Sequence, residues 1–177
     1  VGGWLGGRLP VTRPGALSAY PAMLLVMALL VLALRLVGLR GRDFSLHFRN
    51  GWVALPLLAI NGAVLTLNGP TLPALTALGL GLLHPGLTEE LFYRGLLQRA
   101  LRGWLRPGSA ILLGALFFAL LHFPGYFFNL YGQDIWQTLL NMGDGMLTGL
   151  VWGYGFHRSG GLLPWVGVHA LSNLAGL

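Results

Sequence analysis

Two adjacent carboxylates and a guanidinium, Glu89, Glu90 and Arg94, stand inside one otherwise apolar stretch. Helical geometry separates the two acids. Glu90 and Arg94 are four positions apart, share a face and can pair, whereas Glu89 is turned about 100° from Glu90 and is left for another partner. That division points to one structural carboxylate and one chemical one. Two further polar positions interrupt apolar runs: His122, and His169 with Asn173, the latter two four apart on one face. Ionisable groups in lipid-embedded helices are costly, turn toward a bundle interior or cavity, and mark function. Carboxylate and imidazole are the groups of general acid–base catalysis. Glu with two His is also the donor set of a three-ligand zinc site, but the H-E-x-x-H pairing that usually marks one is missing. No cofactor is therefore expected, and zinc is the alternative.

The other titratable residues read more simply. His47 is a loop residue, His84 a kink residue beside Pro85-Gly86, and His157 an interfacial one. Asp144 is a secondary candidate for lining a cavity, and Asp134 is a solvated loop carboxylate. Cysteine is absent, which excludes disulfides, thiolate metal sites and cysteine nucleophiles.

The elements that must position these groups are apolar runs of membrane length. The chain is 55% hydrophobic and 9% charged, against roughly 25% charged in a soluble domain. Runs of roughly 20 apolar residues match the hydrocarbon thickness of a bilayer. The spans read as Ala16–Val37, Trp52–Leu67 (interrupted by Pro56 and Asn61), and Leu72–Leu101 broken at His84-Pro85-Gly86. Ser109–Phe123, Ile135–Phe156 and Leu162–Leu177 follow, the last interrupted early by Pro164. Pro124–Asp134 is an aromatic loop. The fold class is thus all-α, a polytopic transmembrane bundle of about six spans with a polar intramembrane cavity. Residues 1–71 comprise a lead-in and the first two helices, and residues 72–177 the segments that carry Glu89, His122 and His169. Gly145, Gly149 and Gly153 recur every four residues, a stripe that lets another helix approach closely. It reads as packing within the monomer, with dimerisation as the alternative.

All eleven basic residues are Arg, against five acids, for a net charge of +6. The arginines sit in the short connections, the pattern of positively charged cytoplasmic loops. Lipid is therefore the expected partner, and nucleic acid is not. Counting inward from those boundaries at 1.5 Å per residue, Glu89 and His122 each lie roughly 20 Å deep, and His169 and Asn173 roughly 14 and 20 Å. Three separate segments deliver polar groups to one layer.

The stretch Glu89-Glu90-Leu91-Phe92-Tyr93-Arg94 resembles an E-E-x-x-x-R motif, Phe118 to His122 an F-x-x-x-H motif, and His169 to Asn173 an H-x-x-x-N motif. Together and in this order they resemble the CAAX protease and bacteriocin-processing (CPBP, Abi) family of membrane proteins, over roughly residues 72–177. The resemblance implies an intramembrane endopeptidase in which Glu89 with His122 activates a water for attack on a peptide carbonyl. It further implies that His169 and Asn173 stabilise the oxyanion and that Glu90 and Arg94 hold the site together. A membrane-associated peptide or protein is the implied substrate. An Arg-only, Ala/Gly/Leu-rich composition suggests a GC-rich bacterial genome, hence the bacterial inner membrane and a bacteriocin leader or other membrane peptide rather than a prenylated one. A non-enzymatic scaffold or bacteriocin-immunity protein is the competing class.

Overall fold

The computed structural model describes residues 45–67, 69 and 71–175, together with Ala28 and Leu32. Among the described residues the regular structure is entirely helical. The expected first span, Ala16–Val37, lies outside the described residues apart from Ala28 and Leu32. A 3₁₀ turn, Gly51–Ala54, leads into α1, Leu55–Leu67, and α2 is Leu72–Gly81. A widened turn, Leu82–Leu87, then precedes a continuous helical stretch of α3 (Thr88–Glu90), a π-helical segment Leu91–Gln98, and α4 (Arg99–Arg102). α5 is Pro107–Pro124, α6 Ile135–Ser159 and α7 Leu163–Ala175.

Proline placement explains most of the boundaries. Pro56, Pro107 and Pro164 occupy the first turns of α1, α5 and α7, where an amide hydrogen has no intrahelical partner and its loss costs nothing. Pro56 and Pro164 therefore start helices instead of interrupting spans. Asn61, the other expected interruption, is 3% exposed and donates from Nδ2 to Ser172 Oγ at 2.9 Å, tying α1 to α7. Pro124 does not end its helix either. A π-helical turn, Gly125–Leu130, carries the helix on, closed by Tyr131 N–H donating to Tyr126 O at 2.9 Å. The wider turn accommodates the ring, so most of the expected aromatic loop is helical and only Tyr131–Asp134 connects to α6. Among the described residues, Pro107–Leu130 is the one helix of at least 18 residues that is apolar enough to cross a bilayer by itself, and Gly51–Leu67 is apolar but shorter.

His84 does break its helix, with extended backbone angles (φ −145°, ψ 126°) and a cis bond to Pro85. Gly86 seats the break against α7: a Cβ there would lie 2.7 Å from Gly81 O and 3.1 Å from Val166 O. No larger residue fits without moving backbone.

Trp152, Phe156, Leu162, Trp165 and Val168 build the apolar core with Ala54 and Leu91. Around it, α5 and α6 pack along most of their length. A Cβ on Gly149 would sit 3.0 Å from Ala115 Cα, and one on Gly153 would sit 3.2 Å from Ile111 Cγ2. The glycine stripe is thus used inside the monomer, facing α5. Trp165 lies on Gly155, where an added Cβ would fall on the indole ring, and its Nε1 donates to Ser159 Oγ at 3.0 Å.

The two ends of the bundle differ. Leu162 N–H bonds to Ser45 O at 2.8 Å, Asn50 Nδ2 to Ser159 O at 3.3 Å and Arg99 Nη1 to Ser45 Oγ at 3.4 Å. These contacts gather Arg49, Arg99, Arg102, Arg106 and Arg158 at one end. The opposite end carries Asp134, whose side chain caps α6 by accepting from Gln137 N–H at 3.1 Å.

Candidate active site

Halfway between these ends, α3, α5 and α7 bring their polar residues together. Glu90 is fully buried and accepts from Arg94 Nη1 at 2.9 Å, the expected i, i+4 pair. The same Oε1 accepts from His169 Nδ1 at 2.8 Å, across 79 residues of sequence. Arg94 is itself only 2% exposed. Its guanidinium carbon lies 4.8 Å from the Phe118 ring centre, 5.5 Å from Trp152 and 5.9 Å from Tyr93, so the desolvated cation meets aromatic faces.

Glu89 points the other way, as its position in the helix requires. Its Oε2 lies 3.4 Å from His122 Nε2 and 3.8 Å from His169 Nε2. Acceptors fix which ring nitrogen of each histidine carries a hydrogen. His122 Nδ1 is 2.6 Å from Phe118 O, one turn back; a carbonyl only accepts, so Nδ1 donates. His169 Nδ1 likewise donates to Glu90. In the neutral rings both Nε2 atoms are then lone-pair acceptors aimed at the same carboxylate oxygen. Glu89 Oε2 is itself buried without a hydrogen-bond partner among the described residues. Three basic atoms that face one another need a proton, or a molecule supplying protons, between them. That is an arrangement for proton transfer.

Aromatic packing holds the imidazoles in place. The His122 ring centre lies 4.5 Å from that of Phe118, and that of His169 4.7 Å from that of Trp152, the two pairs tilted at 44° and 49°. Among the described residues no group of three or more His, Asp or Glu side chains is spaced to hold a metal ion.

A family model described as type II CAAX prenyl endopeptidase Rce1-like matches residues 70–175. The chain belongs to this family. No curated protein and no solved structure shows a significant match. The Rce1-like family is membrane-embedded, and it points to a peptidase with a peptide or protein substrate.

In this Rce1-like chain Glu89, His122, His169, Glu90 and Arg94 lie together as one constellation. Asn173 stands one turn beyond His169 on α7, exposed, and makes no hydrogen bond among the described residues. Asp144 is exposed on α6 and lies within electrostatic reach of Tyr126, at the margin of the cluster. His84 sits at the kink as expected, but it also lies within electrostatic reach of both Glu89 and His169. Its Nδ1 is 2.8 Å from Thr88 Oγ1, which donates to Pro85 O at 3.0 Å. His84 therefore belongs to the surroundings of the site. Its closeness to Glu89, five residues on around a break, is the signal that sequence reasoning passes over. Tyr93 and Trp152, which flank Arg94 and His169, carry no signal at all, being aromatic letters in an apolar sequence.

Proposed function

We propose that this chain is an intramembrane endopeptidase that cleaves a membrane-associated peptide or protein with a water activated by Glu89 and His122. The observation that carries this reading is the position of Glu89 Oε2, 3.4 and 3.8 Å from two Nε2 atoms whose opposite nitrogens are both already committed. A water held among these atoms gives up its proton to Glu89 or His122 as its oxygen attacks the peptide carbonyl. Charge then develops on the carbonyl oxygen. For His169 to donate to that oxyanion from Nε2 it must carry a proton on both nitrogens. Glu90 at Nδ1 fixes the orientation of that ring, as the carboxylate of a hydrolase triad does. Asn173, exposed on the same helix, supplies a second donor when substrate is present, and such donors lower the barrier by several kcal/mol where water is scarce. Arg94 neutralises Glu90 and keeps the inner half of the site in one geometry.

The arginine end faces the cytoplasm of a bacterial inner membrane, about six helices cross the bilayer, and lipid covers exposed side chains such as Phe117, Leu120 and Leu121. The test is cleavage by the purified full chain in nanodiscs, with a prenylated CAAX peptide and a membrane-anchored leader peptide as alternative substrates. Glu89→Gln and His122→Ala are expected to abolish cleavage while circular dichroism and elution volume stay unchanged. Cleavage that survives both substitutions removes the proposal, and a cellular phenotype that survives them favours a scaffold. The zinc-dependent version draws on one observation: metal-ligating histidines usually commit their second nitrogen to an acceptor, as both do here. Activity lost to a chelator and restored by zinc selects that version; activity indifferent to chelation selects the metal-free one.

A further inference from the structure

The arginine end contains a feature that the peptidase site does not use. A cavity of about 370 Å³ opens there, lined by Ser45, Arg99, Arg102, Gly103, Phe156 and Gly160. The Arg99 side chain makes one long bond to the Ser45 hydroxyl, and the Arg102 side chain makes no hydrogen bond among the described residues. Among the described residues the carboxylates lie elsewhere. Glu89 and Glu90 belong to the buried layer, Asp134 caps α6 at the far end, Asp144 lies within α6, and Asp43 is outside the described residues. Every ion pair among the described residues is in the buried layer, so none neutralises Arg99 or Arg102. The C-terminal ends of α4 and α6 bring roughly half a negative charge each. Two full guanidinium charges outweigh them, and among the described residues the cavity is left positive.

Large aromatic side chains are exposed at the same end: Phe48 by 70%, Trp52 by 68% and Trp104 by 91%. Tryptophan in such positions sits at the level of lipid headgroups. A positive, partly enclosed space at that level matches a phosphate in charge and position, and the guanidinium fork matches it in geometry. We propose that this cavity binds the phosphate of an anionic phospholipid headgroup through Arg99 and Arg102. The proposal depends on the chain's membrane family and not on the catalytic reading.

The test is the unfolding temperature of the purified full chain in neutral detergent, with short-chain phosphatidylglycerol, phosphatidylcholine of the same chain length, or sodium phosphate. Phosphatidylglycerol is expected to raise it by about 5 °C, a shift typical of saturating binding to the folded state. Phosphatidylcholine and sodium phosphate are expected to leave it within about 1 °C. Arg99→Gln with Arg102→Gln removes the shift, whereas Arg106→Gln with Arg158→Gln, the same charge change outside the cavity, keeps it. If the first pair fails to fold, Arg99→Lys with Arg102→Lys keeps the charge, loses the fork, and is expected to halve the shift or more; an undiminished shift there overturns the proposal. An equal loss in both Gln pairs reduces the effect to diffuse surface charge and also overturns it. A shift from sodium phosphate that matches the lipid's overturns the lipid assignment in favour of a free-phosphate site.

Discussion

The inner and outer halves of the polar layer use the same residue types and treat them in opposite ways. In the inner half, Glu90, Arg94 and His169 have side chains 0%, 2% and 4% exposed, and they form one hydrogen-bonded chain. In the outer half, Glu89 and His122 are 23% and 25% exposed, and among the described residues no hydrogen bond reaches Glu89, whereas Glu90 takes two on Oε1 and leaves only its Oε2 without a partner. A buried carboxylate whose charge is matched is locked, because leaving either partner alone in low dielectric is expensive. A carboxylate left without hydrogen bonds beside two ring nitrogens is open to a molecule that bridges them. The difference between Glu89 and Glu90 is thus one of environment, imposed by a rotation of about 100° along one helix.

Substitutions that exchange the two environments should have effects graded by how much bonding each side chain has. The largest is expected for Arg94→Gln, which strands the Glu90 charge in the core: a loss of about 3–5 kcal/mol in stability, read as a lower denaturant midpoint in detergent. His169→Gln should keep the hydrogen bond to Glu90 but cannot become a two-nitrogen cation. A loss of about 100-fold in kcat is expected, or about 3 kcal/mol of barrier, with KM little changed in steady-state kinetics. His84→Phe leaves the break seated by Gly86 while removing a titratable neighbour of Glu89; about a tenfold fall in kcat/KM is expected. The smallest effect is expected for Asn61→Ala, which cuts the bond to Ser172 and touches none of the reacting side chains. It should cost about 0.6 kcal/mol and leave kcat within twofold.

Much of this contrast is legible in the residue spacing. Four-residue separation announces the Glu90–Arg94 pair, and the rotation between neighbours releases Glu89. Arginine-rich connections set depths that bring His122 and His169 to the same layer. These features depend on helix period and rise, which every helix obeys. What the sequence conceals depends on tertiary neighbours. Phe118, Trp152 and Tyr93 surround Arg94 from three segments; Phe118 is marked by its motif, but nothing distinguishes Trp152 and Tyr93 from aromatics that face outward, such as Phe117 or Trp136. Asn61 reads as a flaw in a span because Ser172, its partner, is 111 residues away. Pro124 reads as a stop signal because a widened turn beyond it has no sequence signature. Asn173 matches a motif in sequence, yet its side chain stands exposed, one turn from the imidazole it accompanies.

Whether under-bonding separates the chemical glutamate from the structural one is tested most directly by measuring kcat/KM and the unfolding midpoint together for Glu89→Gln and Glu90→Gln. Glu89→Gln should lose about 10³-fold or more in kcat/KM with its midpoint held, and Glu90→Gln should shift the midpoint downward. A stable, inactive Glu90→Gln beside an active Glu89→Gln would reverse the two assignments and contradict the account.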